Sequence, residues 1–186
     1  MCGLVGVLLE PGPRPPKAWD QILDITTANL LGNEARGRDA SGIVAFHADG
    51  QCALFKQPVC AAALTGMEGY RNVLASVGDD VTCILGHTRR PTKGSRWRNV
   101  NNHPIETEHV VGVHNGIIRN DDLLFSALAL PRSAEVDSEV IFRLQESVDP
   151  RQPLSRYSVH LRERINWLEG SFATLSVDVR TPTRLV

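Results

Sequence analysis

The chain lacks most of the features that mark a specialised class. It has no excess of one charge: 20 Lys and Arg against 21 Asp and Glu leave −1. Nothing in that balance pulls it toward nucleic acid or an anionic membrane. It has no long apolar run. The longest early stretch, Leu4–Leu9, ends at Glu10-Pro11 with no basic segment before it. That argues against a signal peptide and against a helix of the roughly 20 residues a bilayer needs. The four cysteines, Cys2, Cys52, Cys60 and Cys83, form no C-x-x-C pair and no dense framework. This fits a reducing, cytoplasmic setting. No repeat, linker or low-complexity tract interrupts the 186 residues, so residues 1–186 read as one domain with room for a sizeable core. Hydrophobic residues at 42% and charged residues at 22% are ordinary for a soluble globular chain.

What is present begins with Cys2. The opening Met1-Cys2-Gly3-Leu4-Val5-Gly6 would make a cysteine the first residue once Met1 is removed. Such a residue carries a nucleophile and a base together. A thiol titrates near ~8.5 and an α-amine near ~7.7–8.0, so the amine can take the thiol's proton and release the reactive thiolate. A buried first strand with an incidental cysteine accounts for the same residues, and the rest of the chain has to decide.

Periodicity outlines the elements. Residues 3–9 read as a strand, and helical spacing runs over 17–31 up to a stop at Gly32-Asn33. Strands at 42–47 and 51–56 flank an Asp49-Gly50 turn. A weaker helix is expected at 67–77, strands at 81–87 and 109–114, helices at 137–148 and 154–168, and a last strand at 172–179. Residues 89–108 form a long polar loop, a length that in a compact domain points to function or disorder. The pattern is that of an α/β layered fold with largely antiparallel sheets.

Several segments carry residues a core does not need: Arg36-Gly37-Arg38-Asp39-Ala40-Ser41-Gly42, Gly86-His87-Thr88-Arg89, His103-Pro104, His114-Asn115-Gly116 and Asp137-Ser138-Glu139. Each has a bland reading. Asn115-Gly116 can be a turn, Asp137 a helix N-cap and Arg89 a surface charge. His87, His103, His109 and His114 raise the question of zinc, but no pair has the helical spacing or the carboxylate partner of a metal site, and no metal or other cofactor is expected.

In order, and together with Cys2, these segments resemble the glutaminase domain of class II glutamine amidotransferases of the N-terminal nucleophile hydrolase type, in particular that of the glutamine–fructose-6-phosphate amidotransferases. The matching pieces are Cys2–Gly6, Arg36–Gly42, Gly86–Arg89, Asn101–Pro104, His114–Ile118, Asp137–Val140 and Leu168–Ala173. The resemblance implies an α+β, four-layer αββα sandwich. It implies L-glutamine as substrate and hydrolysis of its side-chain amide through a Cys2 thioester, giving glutamate and ammonia. Asn115 and the Gly116 N–H match the oxyanion hole, Arg89 the carboxylate site and Asp137 the ammonium site. Thr92 and His103 match pocket-lining positions, and Arg36 a structural residue near the amino terminus. A non-catalytic glutamine-binding or regulatory module on the same fold is the competing reading.

The sequence departs from the pattern at three places. Arg90 stands where the family has a gating Trp, Lys93 where it has a His, and Ile105 where it has the second His of His-Pro-His. The domain also ends at Val186, shorter at its C-terminus than the family's, with no synthase domain in the chain. From these follows the expectation of a separate synthase or acceptor subunit. The basic run Arg90, Lys93, Arg96 and Arg98 would favour an acidic docking surface or a phosphorylated acceptor, with a merely solvated loop as its bland reading.

Overall fold

A computed structural model describes residues 1–186. Its elements run β1 (Gly3–Leu8), α1 (Pro16–Gly32), β2 (Ala40–His47), β3 (Cys52–Gln57), α2 (Ala61–Thr65), α3 (Glu68–Ala75), β4 (Val81–Arg89), β5 (Ile105–Glu106), β6 (Val110–Ile118), α4 (Asp121–Ala127), α5 (Ser138–Glu146), α6 (Leu154–Ile165) and β7 (Gly170–Asp178). Strands β1-β4-β2-β3 form one sheet and β5-β6-β7 a second, with every pairing antiparallel.

Alternation of side chains along the strands builds three apolar layers. Ile43 and Ala45 of β2 and Ile84 of β4 point to α1–α3, where they meet Leu30, Leu64, Tyr70 and Val73. Their neighbours Val44, Phe46, Cys83 and Leu85 point the other way, onto Val111, Val113 and Val177 of the second sheet. That sheet's outer face, with Val110 and Ile118, packs on Val140, Ile141, Phe142 and Leu144 of α5. The layers are helix, sheet, sheet and helix: the four-layer αββα sandwich. Because both faces of β2 and β4 are covered, these strands read as unbroken apolar runs.

The expected elements are all present. Three that periodicity missed, α2, α4 and β5, are seven residues or shorter, too short to express a period. Strand β6 extends four residues past the expected end at His114, through Asn115-Gly116 to Ile118. The turn reading of that pair is therefore replaced by a strand whose register sets Asn115 opposite Ala173 and Gly116 opposite Phe172. No helix is long and apolar enough to cross a membrane.

Candidate active site

The register of β1 on β4 pairs Gly3 with Thr88, which sets Cys2 beside the exit of β4. There the chain leaves as Arg89-Arg90-Pro91-Thr92-Lys93. The facing sheet contributes the end of β6, and α5 brings its first turn. Between them lies a cleft of about 650 Å³ lined among others by Cys2, Arg89, Thr92, His103, Asn115, Gly116 and Asp137. Seven of the eight residues singled out from sequence thus line one cleft. The eighth, Arg36, lies behind it, where its Nε–H donates to the Cys2 carbonyl at 2.9 Å.

Cys2 is held from three directions. Its backbone N–H donates to Asn115 Oδ1 at 2.9 Å, its carbonyl takes Arg36, and its sulfur receives the Arg90 N–H at 3.4 Å. Burial pushes the thiol above its ordinary value. The Arg90 N–H, the α-ammonium of Met1 and Arg89 oppose that, and Asp137 adds to it. With Oδ1 of Asn115 turned to the Cys2 nitrogen, its Nδ2 donors are the ones left for a reacting carbonyl. Gly116 follows with φ +151°, and a Cβ there would lie 2.1 Å from the Ser171 carbonyl. Only glycine fits that backbone against β7.

Asp137 is 4% exposed and makes no side-chain cap bond to α5, so the N-cap reading fails. Its Oδ2 instead accepts the Ile118 N–H at 2.7 Å, and no cation of the protein pairs with it. A buried carboxylate without a counter-charge is costly to keep, and one in a cleft wall suits a bound cation.

Arg89 is not the surface charge its bland reading suggests: it is 2% exposed. Nor does it present a free fork. Nη1 donates to Asn102 Oδ1 at 2.7 Å, and Nη2 to the carbonyls of Lys93 and Gly94 at 2.7 and 2.9 Å. The donors that a bidentate grip on a substrate carboxylate would use are thus taken up by its own loop, because a guanidinium organises a tight loop as readily as it binds a carboxylate.

Behind the cleft, His87 and His103 stack at 4.2 Å between ring centroids, with His114 6.4 Å from His103. His87 Nε2–H donates to the His114 carbonyl at 3.0 Å, and His114 Nδ1 lies 2.7 Å from Ser138 Oγ. Burial drives His87 down to about 3 and His103 well below its ordinary value, so both rings are neutral. No group of three or more His, Cys, Asp and Glu side chains is arranged to hold a metal ion.

Sequence reasoning missed several contributors. Ser138 orients His114, and Asn102 holds Arg89. Arg119 lines the cleft, its backbone N–H donating to the Glu169 carbonyl at 2.7 Å. The signal for Asn102 was its place beside His103. Arg119 carries no pattern beyond following Ile118. The basic run is also corrected. Lys93 pairs with Asp121 and Asp122, Arg96 with Asp39, and Arg98 with Glu135. Of the four, only Arg90 keeps an unpaired charge, so the loop is no basic docking face.

No family model matches the chain. Among curated proteins it is similar over its whole length to glutamine–fructose-6-phosphate aminotransferase (isomerizing) of Yersinia pseudotuberculosis, at 29% identity over 190 residues and 28% of that protein. The enzyme of the same name from Corynebacterium glutamicum is 30% identical over 191 residues, again 100% of this chain and 29% of the relative. The chain therefore spans under a third of the length of these relatives. Among solved structures, a glutamine phosphoribosylpyrophosphate amidotransferase from B. subtilis, complexed with ADP and GMP, superposes with a TM-score of 0.68 at 19% identity, covering 96% of this chain and 35% of that one. An allosteric regulatory enzyme of purine biosynthesis gives 0.67 at 21% identity, covering 95% and 35%. These structures share its fold.

Proposed function

We propose that this chain, which belongs to the class II, N-terminal-nucleophile glutamine amidotransferase domains, hydrolyses the side-chain amide of L-glutamine at Cys2. With Met1 removed, the Cys2 amine accepts the thiol proton and the thiolate attacks the amide carbon. The carbonyl oxygen becomes an oxyanion between Asn115 Nδ2 and the Gly116 N–H. The amide nitrogen takes a proton and leaves as ammonia, and the Cys2 sulfur is left acylated as a thioester. Water then hydrolyses the thioester to glutamate and restores the thiol. Such an oxyanion hole acts on the transition state and is worth about 10²–10³ in rate per donor.

The observation that carries this reading is the bond from the Cys2 nitrogen to Asn115 Oδ1 at 2.9 Å. It supports the reading because the base, the nucleophile and an oxyanion donor would then belong to two adjoining residues, Cys2 and Asn115. Asp137 would receive the substrate ammonium. Arg89, with Thr92 and His103 beside it, would receive the carboxylate. The ammonia would pass to a synthase or acceptor, since the relatives carry this region as the smaller part of a longer chain. No cofactor or metal enters any step.

The test is glutamate release from glutamine by protein whose mass confirms a free Cys2, with peptide mapping after treatment with an electrophilic glutamine analogue. Label on Cys2 alone and turnover abolished in Cys2→Ala support the reading. Label spread evenly over Cys2, Cys52 and Cys60 sinks it. The second reading, a glutamine-binding module without turnover, is favoured by the filled Arg89 fork. Saturable glutamine binding with no glutamate release would establish it.

A further inference from the structure

The register of the first sheet lays three residues in a row on the face that looks toward the second sheet. Gly42 of β2 pairs with His87 of β4 on one side and with Lys56 of β3 on the other. The dipeptide His103-Pro104 is seated on this row. His103 stacks on His87 with ring centres 4.2 Å apart. Gly42 supplies the gap beneath it: a Cβ there would run into the His103 carbonyl and lie 2.9 Å from Pro104 Cδ. Lys56 closes the far side, its Nζ donating to the Pro104 carbonyl at 2.7 Å.

Lys56 also grips the other end of this segment. Its own carbonyl accepts Asn99 Nδ2 at 2.9 Å. Asn99 Oδ1 in turn accepts Asn102 Nδ2 at 3.1 Å, and Asn102 Oδ1 accepts Arg89 Nη1 at 2.7 Å. One residue of β3 thus fixes both ends of a span whose middle carries Asn102, the partner of Arg89, and His103, part of the cleft wall. No residue of β3 itself lines the cleft.

Packing alone has no need of a cation at this place. Lys56 is 8% exposed, and burial lowers its pKa, with the Glu106 carboxylate at 3.3 Å pulling the other way. A methionine would fill similar space with no charge to desolvate. What the lysine adds is a donor to the Pro104 carbonyl, and a charge-assisted bond is stronger than a neutral one.

We infer that Lys56 is a positioning residue for substrate binding: it clamps segment 99–104 so that Arg89 and His103 stay aligned for the glutamine carboxylate. The inference rests on the glutaminase reading for its substrate, while the clamp itself is read on the amides of the segment.

The experiment measures two quantities on the full chain. One is KM and kcat for glutamine. The other is hydrogen exchange of the Asn101 and Asn102 amides, which bond the Arg98 and Asn99 carbonyls at 2.9 and 3.0 Å. Lys56→Met should raise KM at least about fivefold with kcat changed by less than about twofold, and speed exchange of both amides at least about tenfold. Asn99→Ala, which cuts the link from Lys56 to Asn102, should move both quantities in the same direction. Glu106→Gln, which leaves the bond to Pro104 in place, should move neither by more than about twofold. Near-UV circular dichroism checks that Lys56→Met is folded, and Asn99→Ala, at an exposed position, serves should it not be. Unchanged exchange or an unchanged KM in the folded variants would overturn the clamp, as would a kcat that falls as far as kcat/KM. A parent protein with no glutaminase activity would bring down the glutaminase reading and leave the clamp to be judged on exchange alone.

Discussion

Asn115 accepts a hydrogen bond from the backbone nitrogen of Cys2 at 2.9 Å, joining the second residue of the chain to the middle of β6. The bond fixes which end of the Asn115 amide faces the sulfur side of the cleft. On the proposed mechanism, Asn115→Ala removes a donor used in the transition state and leaves substrate contacts alone. Its kcat should fall about 10²–10³-fold with KM little changed. Steady-state kinetics decide it, and a change confined to KM would remove Asn115 from the oxyanion hole.

Asp137→Asn should act on the other parameter. The amide oxygen of Asn can still accept the Ile118 N–H that Asp137 accepts at 2.7 Å, so the junction of β6 and α5 survives. What is lost is the negative charge facing the cleft. Glutamine KM should rise by about 10–100-fold, the worth of one charge-assisted hydrogen bond, with a smaller effect on kcat. An unaffected KM would place the substrate ammonium elsewhere.

Gly116→Ala tests the backbone. Its φ of +151° and the Ser171 carbonyl 2.1 Å from a would-be Cβ leave no room for a methyl group. The variant should lose about 2 kcal/mol or more of stability and, with the oxyanion N–H displaced, most of its turnover. Denaturant midpoints and glutamate release report the two effects separately. A fully stable Gly116→Ala would mean that β6 and β7 separate more easily than their register implies.

The layers were legible in the sequence because the two-faced burial of β2 and β4 leaves unbroken apolar runs, and because α1 and α5 are long enough to express a helical period. The site was legible for a different reason. Cys2, Arg89 and Asp137 sit at ends of elements, and Asn115 lies within β6 where it borders the cleft, so packing has no use for them. Electrostatic pairing was not legible. Lys93 meets Asp121 and Asp122 across a loop and a strand, and Arg98 meets Glu135 from further still. A run of basic residues looks the same in sequence whether solvent or distant carboxylates neutralise it. The filled fork of Arg89 was hidden likewise, since its partners there are backbone carbonyls, which every residue has.

The stacked histidines predict an acid-sensitive fold. In the folded protein burial holds His87 at about 3 and His103 well below 6.5, whereas an unfolded histidine titrates near 6.5. Below that pH the unfolded chain takes up protons that the fold refuses. Stability is therefore full above about pH 6.5 and falls as pH drops, by about 1.4 kcal/mol per pH unit for each ring that stays neutral. Asp122 and Glu135 are lowered by hydrogen-bonded partners and add their losses only near and below the unfolded carboxylate range of about 4. The window from pH 6.5 to 4.5 thus isolates the histidines. Urea unfolding across it should show a steep loss, and His103→Asn a shallower slope whatever its starting stability. Equal slopes would mean that His103 takes up a proton in the folded state.

Processing should change the chemistry of Cys2 more than any substitution around it. With Met1 in place the Cys2 nitrogen is an amide and cannot act as a base. The thiol then keeps a pKa raised above its ordinary value by burial. Because the thiolate is the reacting form, alkylation of Met1-retaining protein should climb about tenfold per pH unit from 7 to 9 without levelling. Once Met1 is gone, the α-amine sits on the same residue as the sulfur and titrates near ~8. It can take the thiol proton within the pH range where the protein works. Glutaminase activity should then appear in the processed form only, and its pH profile should level off near the amine's pKa. Intact-mass analysis sorts the two forms before each assay. Equal turnover by both at pH 7.5 would show that another group accepts the thiol proton, and the terminal-amine mechanism would fall.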